Sequence, residues 1–272
     1  MGVFQNNLLA GAGGQAAGTT GFYDYQIEQS CRFDRDDNSY LTGYANNFGT
    51  GNRRKWTLSF WFKLIASDGF SNAQYLLFTS DTNAQGSYDT MIFNTDTGTN
   101  DAIFYYQTGG TYYVPKAEFR DTSAWGHMVL VFDSDNSTAD DRRIVYFNGT
   151  RLAKLEGSEG SQNVDSQFNW GIKTHYIGRR QDNSSSHHGD YYLAEWIFAD
   201  GQAYAATQFG ESKNGVWIPK DPTGTNFGTT GHHLKFENAS DLGNDSSGNN
   251  NDWTVSNMGT DHQVLDSPTF GS

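Results

Sequence analysis

The stretch Lys55–Ile65 reads KWTLSFWFKLI. Trp56, Leu58, Phe60, Phe62 and Leu64 alternate with Thr57, Ser59, Trp61 and Lys63. A period of two puts the first set on one face of an extended strand and the second on the other. Trp61 interrupts the polar set, so that face is expected to lie partly under cover. Similar runs follow in both directions along the chain. QYLLFTS spans Gln74 to Ser80, DTMIFNT Asp89 to Thr95, DAIFYYQ Asp101 to Gln107 and TYYVP Thr111 to Pro115. HMVLVFD, His127 to Asp133, is continuously apolar, which predicts burial on both faces. YYLAEWIFADG, Tyr191 to Gly201, reads the same way. In RRIVYFNGTRL, Asn148-Gly149 separates two runs, and both residues tolerate positive φ, so a tight hairpin is expected there.

Clusters of Gly, Asn, Asp, Ser and Thr separate these runs, and no long amphipathic helical pattern intervenes. The pattern predicts an all-β, two-sheet antiparallel sandwich of about twelve strands. The AYAATQFG stretch is the one place where a helical turn is expected. The last seventy or so residues are too poor in apolar positions for a core of their own. Their strand candidates, HHLKFEN (His232 to Asn238), WTV (Trp253 to Val255) and HQVLDSP, are expected to add to the sandwich. Residues 22–272 are thus read as one domain that includes C-terminal strands within 232–266. Residues 1–21, MGVFQNNLLAGAGGQAAGTTG, are read as a flexible Gly/Ala-rich arm that could dock on a neighbouring subunit.

The charge narrows the function. The 272 residues carry 18 basic and 31 acidic side chains, a net charge of −13. A nucleic-acid partner needs clustered Lys and Arg, so none is expected. An anionic membrane surface is excluded on the same ground. No apolar run approaches the ~18 residues of a spanning helix. The start of the chain lacks a charged and apolar signal pattern, and Asn6 stands where myristoylation wants Ser or Thr. Cys31 is the single cysteine, so no internal disulfide forms.

The order SCRFDRDDNSYLT, WTLSFWFK, AWGHMVLVFD, RIVYFNGTRL, HYIGR and YYLAEWIFADG, over roughly residues 28 to 201, resembles the concanavalin A-like, laminin G-type jelly-roll superfamily. AGAGGQAAG, FADGQAY, FGESKNGVWIPK, DLGNDSSGNNNDWT and HQVLDSP also resemble a module recurrent in marine bacteriophage virion proteins. There the module is usually part of larger tail-fibre or other structural proteins, and its pattern runs on past the DSP step. Here four residues follow, which suggests a short free-standing form or a piece of a longer chain. The resemblance implies a jelly-roll fold and a non-enzymatic role on the virion surface, as a head decoration or fibre component or a tail-associated attachment module. Its partners would be other virion proteins or copies of itself, and a cell-surface glycan bound weakly. A lectin-like carbohydrate-binding module, calcium-dependent or not, is the alternative, and a glycoside hydrolase a third.

Laminarinase-type hydrolases of this fold set carboxylates on one strand face, because a retaining acid and nucleophile stand about 5 Å apart. Glu195 and Asp200 share a strand, but a spacing of five sends them to opposite faces. Glu156 and Glu159 fall in a loop, and Asp133 and Asp135 sit at a strand end without a third member. No nucleophile elbow, Walker loop or dinucleotide fingerprint is present. Cys31 reads as a small buried apolar residue. The pairs His187-His188 and His232-His233 read as surface or turn histidines, since strand neighbours point apart and chelate poorly. No cofactor is implied by a motif. Calcium is a candidate for Asp241–Asp252, with Asp245 and Asn249, although the same residues make an ordinary turn. Arg179 to Asp190 reads as an exposed loop. Tyr105-Tyr106, Tyr112-Tyr113 and Tyr191-Tyr192 each place one tyrosine away from the core, where it stacks on a sugar or covers a subunit contact.

Overall fold

The computed structural model describes residues 21–43, 48–65, 74–80, 89–95, 102–119, 121–180 and 188–269. The leader up to residue 20, His187 and most of the 179–190 loop lie outside them. The strands are β1 (Ser30–Phe33), β2 (Tyr40–Gly43), β3 (Lys55–Leu64), β4 (Gln74–Ser80), β5 (Thr90–Thr95), β6 (Ala102–Thr108), β7 (Thr111–Pro115), β8 (Gly126–Asp133) and β9 (Arg143–Phe147). They continue as β10 (Thr150–Arg151), β11 (Lys154–Gly157), β12 (His175–Ile177), β13 (Tyr191–Asp200), β14 (Gly210–Lys213), β15 (Val216–Pro219), β16 (His232–Leu234), β17 (Thr254–Ser256) and β18 (Gln263–Val264).

Two eight-stranded antiparallel sheets form the expected jelly-roll sandwich. The back sheet runs β10-β9-β8-β3-β13-β1-β18, and β16 joins β13 beyond the end of β1. The front sheet runs β11-β7-β6-β5-β4-β12-β2-β17. Both sheets hold more strands than the sequence pattern indicated, because several are only two to four residues long. The C-terminal segments close the edges: β17 pairs with β2, β18 with β1 and β16 with β13. The expected strand His232–Asn238 stops at Leu234, and Phe236 takes a left-handed φ of 57° that ends it. Among the described residues three short 3-10 turns occur, at Ala139–Asp141, Ala206–Gln208 and Thr260–His262. Only the second was expected.

Aromatic side chains fill the space between the sheets. Trp56, Phe60 and Phe62 of β3 and Trp196 and Phe198 of β13 meet Phe78 of β4, Phe93 of β5 and Tyr106 of β6. Ring centroids stand 4.7 Å apart for Phe62–Phe93 and 5.4 Å for Phe78–Trp196, within the range in which aromatic pairs attract beyond their buried area. All eight residues of β8 are buried, as its unbroken apolar run demanded. The β9–β10 hairpin turns at Asn148 (φ 46°) and Gly149 (φ 78°), the backbone pair a two-residue hairpin of matching twist requires.

The outer face of the back sheet is covered more fully than Trp61 alone suggested. Thr57, Ser59 and Trp61 are all buried. The β14–β15 hairpin and the turn at Ala206 lie over them. Ala206, Phe209 and Trp217 pack on Val129, Val131 and Ile197, while Trp217 also meets the cluster of Trp61, Ala194 and Ile27. The polar atoms under this cover are matched. The Thr57 hydroxyl donates to the Gln202 carbonyl (2.8 Å) and accepts from the Tyr204 amide (2.9 Å). Trp217 Nε1–H donates to His127 Nδ1 at 3.0 Å, which leaves His127 Nε2 to donate to the Ser59 hydroxyl at 2.9 Å. That tautomer is neutral, and burial holds the His127 imidazole down to a pKa of about 3.

Candidate functional site

The carboxylates that could serve hydrolysis are each committed elsewhere. The ladder between β13 and β3 shifts register between Ala194 and Ile197, and Glu195 within this bulge has φ 50°. Glu195 emerges on the outer face of the back sheet, where it accepts from Tyr25 Oη (3.0 Å) and pairs with His233 Nε2 (2.5 Å). Asp200 points the other way and accepts from the Asn52 amide (2.6 Å), the Asn169 side chain (2.6 Å) and the Thr229 amide (3.1 Å). The two thus lie on opposite faces, as their spacing required. Asp133 pairs with Lys55, Asp135 with Arg54 and Glu159 with Lys154. Glu156 accepts from Tyr112 Oη at 2.9 Å. None of the six pairs with another.

The histidines correct an expectation. His188, His232 and His233 are buried rather than exposed. Strand geometry does separate the adjacent pair. His232 turns inward, stacking on Phe198 at 5.5 Å, while His233 turns outward to Glu195. Burial lowers the His232 and His175 pKa values to about 4 each, so both are neutral at physiological pH. The described ends of the 179–190 loop are buried as well: Arg179, His188 and Asp190 are each more than nine-tenths enclosed, against the exposed loop expected. Cys31 is fully buried and its thiol pKa is pushed up by burial, so it packs as a small apolar group.

In the Asp241–Asp252 segment the turn chemistry prevails. Asp245 Oδ1 accepts from the amides of His233 (2.8 Å) and Ser247 (2.9 Å), and Oδ2 from the Ser247 hydroxyl (2.8 Å) and the Asn251 amide (2.9 Å). Asn249 and Asn251 spend their side-chain amides on the carbonyls of Gly228, Thr229 and Gly231. The oxygens a cation needs are occupied by donors. Among the described residues no group of three or more His, Cys, Asp or Glu is placed to hold a metal.

The tyrosine pairs divide as the strand period dictates. Tyr106, Tyr113 and Tyr191 are buried, and Tyr105, Tyr112 and Tyr192 face outward. Tyr105 of β6 and Tyr112 of β7 stack in parallel on the outer face of the front sheet, centroids 5.6 Å apart and planes 16° apart. Gln107 and Glu156 flank them: Tyr105 Oη donates to Gln107 Oε1 (3.0 Å) and Tyr112 Oη to Glu156 Oε1. Tyr112 is 38 % exposed. The result is an aromatic patch at the surface with amide and carboxylate groups at its margin. On the other side of the edge strand β11 lies a polar groove of about 530 Å³ lined by Tyr113, Asp140, Asp141, Arg151 and Glu159. A second cleft, between Phe48, Trp170, His175, His232 and Trp253, has room of only about 20 Å³ and so holds a water but not a sugar ring.

One aromatic group escaped the sequence reading. Tyr40 of β2 and Tyr176 of β12 also face outward on the front sheet, and the Arg179 guanidinium lies 4.6 Å from the first ring and 4.5 Å from the second. The signal was present in the alternation of YLTG and HYIGR. The partnership depends on β2–β12 pairing, which joins residues far apart in the chain.

The model of the concanavalin A-like lectin/glucanases superfamily matches residues 35–195, more than half of the sequence. The chain belongs to that superfamily. No curated protein matches it. Among solved structures, a putative carbohydrate binding protein from Bacteroides ovatus is 15 % identical with a TM-score of 0.55, over 86 % of this chain and 61 % of that one. A heptameric SAP-like pentraxin from Limulus polyphemus is 17 % identical at a TM-score of 0.45, over 68 % and 81 % of the two chains. The LG4-5 domains of the mouse laminin α1 chain are 13 % identical at 0.42, over 78 % and 48 %. At these identities the Bacteroides likeness speaks to the fold alone. The fold is therefore lectin-like, and the function must be argued from this chain's own surface.

Proposed function

We propose that this protein is a non-enzymatic surface component of a bacteriophage particle, a decoration, fibre or tail-associated attachment module that holds glycan on the outer face of its front sheet. The observation that carries the glycan reading is the Tyr105–Tyr112 stack with Gln107 and Glu156 at its margin. Apolar sugar faces lie on aromatic rings while hydroxyls meet amide and carboxylate groups, and neighbouring rings held against each other present such a surface with little ordering left to do. The non-catalytic part is supported by the carboxylates, each of which has a partner of its own among lysine, arginine, histidine, tyrosine and backbone donors rather than a second carboxylate. The virion part rests on the sequence resemblance, and on an acidic chain that discourages contact with packaged DNA. Its protein partners are other virion proteins or further copies of itself.

Two experiments test this. A side-chain-resolution map of the intact particle is expected to contain this chain on the capsid or tail. Its absence from purified particles sinks the virion reading and leaves a free lectin-like protein. A glycan array is expected to give signals that Tyr112→Ala abolishes. Signals indifferent to that change place any sugar site elsewhere.

A further inference from the structure

Arg179 is 6 % exposed, and among the described residues it has no carboxylate partner. Its Nε–H donates to the Arg180 carbonyl at 3.0 Å, which fixes the plane of the guanidinium. The rings of Tyr40 and Tyr176 lie 4.6 and 4.5 Å from its central carbon, and the His188 ring stands 6.0 Å from Tyr40. Two aromatic faces offset part of the cost of enclosing a cation. They do not replace a counter-ion, since an enclosed charge is ordinarily paired. The terminal nitrogens have no hydrogen-bond partner among the described residues and are not among the molecule's sealed, unpartnered atoms. Among the described residues the side chain is therefore an oriented fork whose outer donors are unspent. Such a fork matches the two oxygens of a carboxylate, or those of a sulfate, better than any neutral group.

Its position ties it to the tyrosine platform. Tyr176 pairs with Thr79, Thr79 with Thr90, Thr90 with Gln107 and Gln107 with Tyr112, a single cross-strand row on the front sheet. Four strand steps separate Tyr176 from Tyr112, about 19 Å at the usual strand spacing. Thr79 and Thr90 between them are buried, so a ligand meets this face at two places rather than along one trough. We infer that Arg179, clamped between Tyr40 and Tyr176, is an anion subsite that makes the protein select glycans bearing carboxylate or sulfate groups. This rests on the glycan reading above. The net charge of −13 does not prevent it, because at physiological salt charges beyond about 8 Å are largely screened.

The test is a glycan array of carboxylated, sulfated and neutral oligosaccharides, probed with the whole chain and with Arg179→Gln, Arg179→Lys and Tyr112→Ala, each first checked for an intact melting transition. Arg179→Gln is expected to lower anionic signals roughly tenfold or more, the worth of a charged hydrogen bond, and to leave neutral signals unchanged. Arg179→Lys restores part of the loss, since it keeps the charge without the fork. If Arg179→Gln does not fold, Arg179→Lys carries the comparison, and a wild-type preference for anionic glycans that vanishes at high salt supports the assignment. Anionic binding unaffected by either arginine variant, or binding of neutral glycans alone, overturns the subsite while leaving the platform in place. Anionic binding that depends on Arg179 but not on Tyr112 overturns the platform reading instead. No signal for any glycan overturns both.

Discussion

The two sheets use their outer faces differently. The back sheet carries Thr57, Ser59, Trp61 and His127 outward, then buries all four beneath the β14–β15 hairpin with their hydrogen bonds completed. The front sheet carries Tyr105, Tyr112, Tyr40 and Tyr176 outward and leaves these rings exposed in part. Polar groups matched under a lid belong to stability, whereas aromatic rings left at the surface belong to recognition. A change on the back face should therefore alter folding and spare binding, and a change on the front face should do the reverse.

The sharpest way to break this division is Trp217→Ala. The Trp217 ring packs on the outer clusters of the back sheet and donates to His127. It also fills space kept free by two glycines: a Cβ on Gly149 or Gly210 would come within 2.3 or 2.5 Å of it. Removing it is expected to cost about 3 kcal/mol in urea denaturation, from lost burial and the void left behind. Glycan binding by the folded fraction should be unchanged. A loss of under half that cost would mean the hairpin is an ornament rather than a lid.

The part of this arrangement legible in the sequence was the part each segment encodes alone. β3, β8 and β13 carry strong apolar patterns, and Asn148-Gly149 carries its turn. The inward and outward members of the tyrosine pairs followed from the period of two. The short strands β10, β16, β17 and β18 were legible as segments, in the Asn148-Gly149 hairpin, HHLKFEN, WTV and HQVLDSP, but not in their bounds, because pairing with a longer neighbour sets where each begins and ends. The bulge at Glu195 was hidden too, since glutamate gives no hint of a positive φ. The burial of His232 and His233 escaped for a related reason. His232 stacks on Phe198 and His233 pairs with Glu195, both on β13, and Arg179 is met by a tyrosine on β2, contacts that only the folded topology creates.

Acid sharpens the comparison further. Burial lowers His127 to a pKa of about 3, whereas in the unfolded chain it titrates near the ordinary imidazole value of 6.5. Below pH 6.5 the unfolded state takes up the proton first, so stability is complete above that pH and is lost progressively as pH falls toward 3. His175 and His232, each lowered to about 4, act in the same direction. By pH 4.5, two units below the unfolded pKa, the His127 loss should amount to about 3 kcal/mol. His127→Gln should lose less stability than the wild type between pH 7 and pH 4.5 by that amount, measured by urea unfolding at both values. Equal losses would mean that His127 meets water and that the lid leaks.

The smallest effect on folding is expected where the effect on binding is greatest. Tyr112 is held at the surface by its stack on Tyr105 and one hydrogen bond to Glu156. Tyr112→Phe removes the hydroxyl and keeps the ring, and should move the melting temperature by about 1 °C or less, as for most surface changes. Tyr112→Ala removes the plane itself. If the ring is the binding element, the phenylalanine variant retains most of the glycan affinity and the alanine variant loses it. If both lose it equally, the hydroxyl and its link to Glu156 orient the sugar, and recognition lies at the polar margin rather than on the aromatic plane. Either result separates binding from stability on the front face, which the lidded back face does not allow.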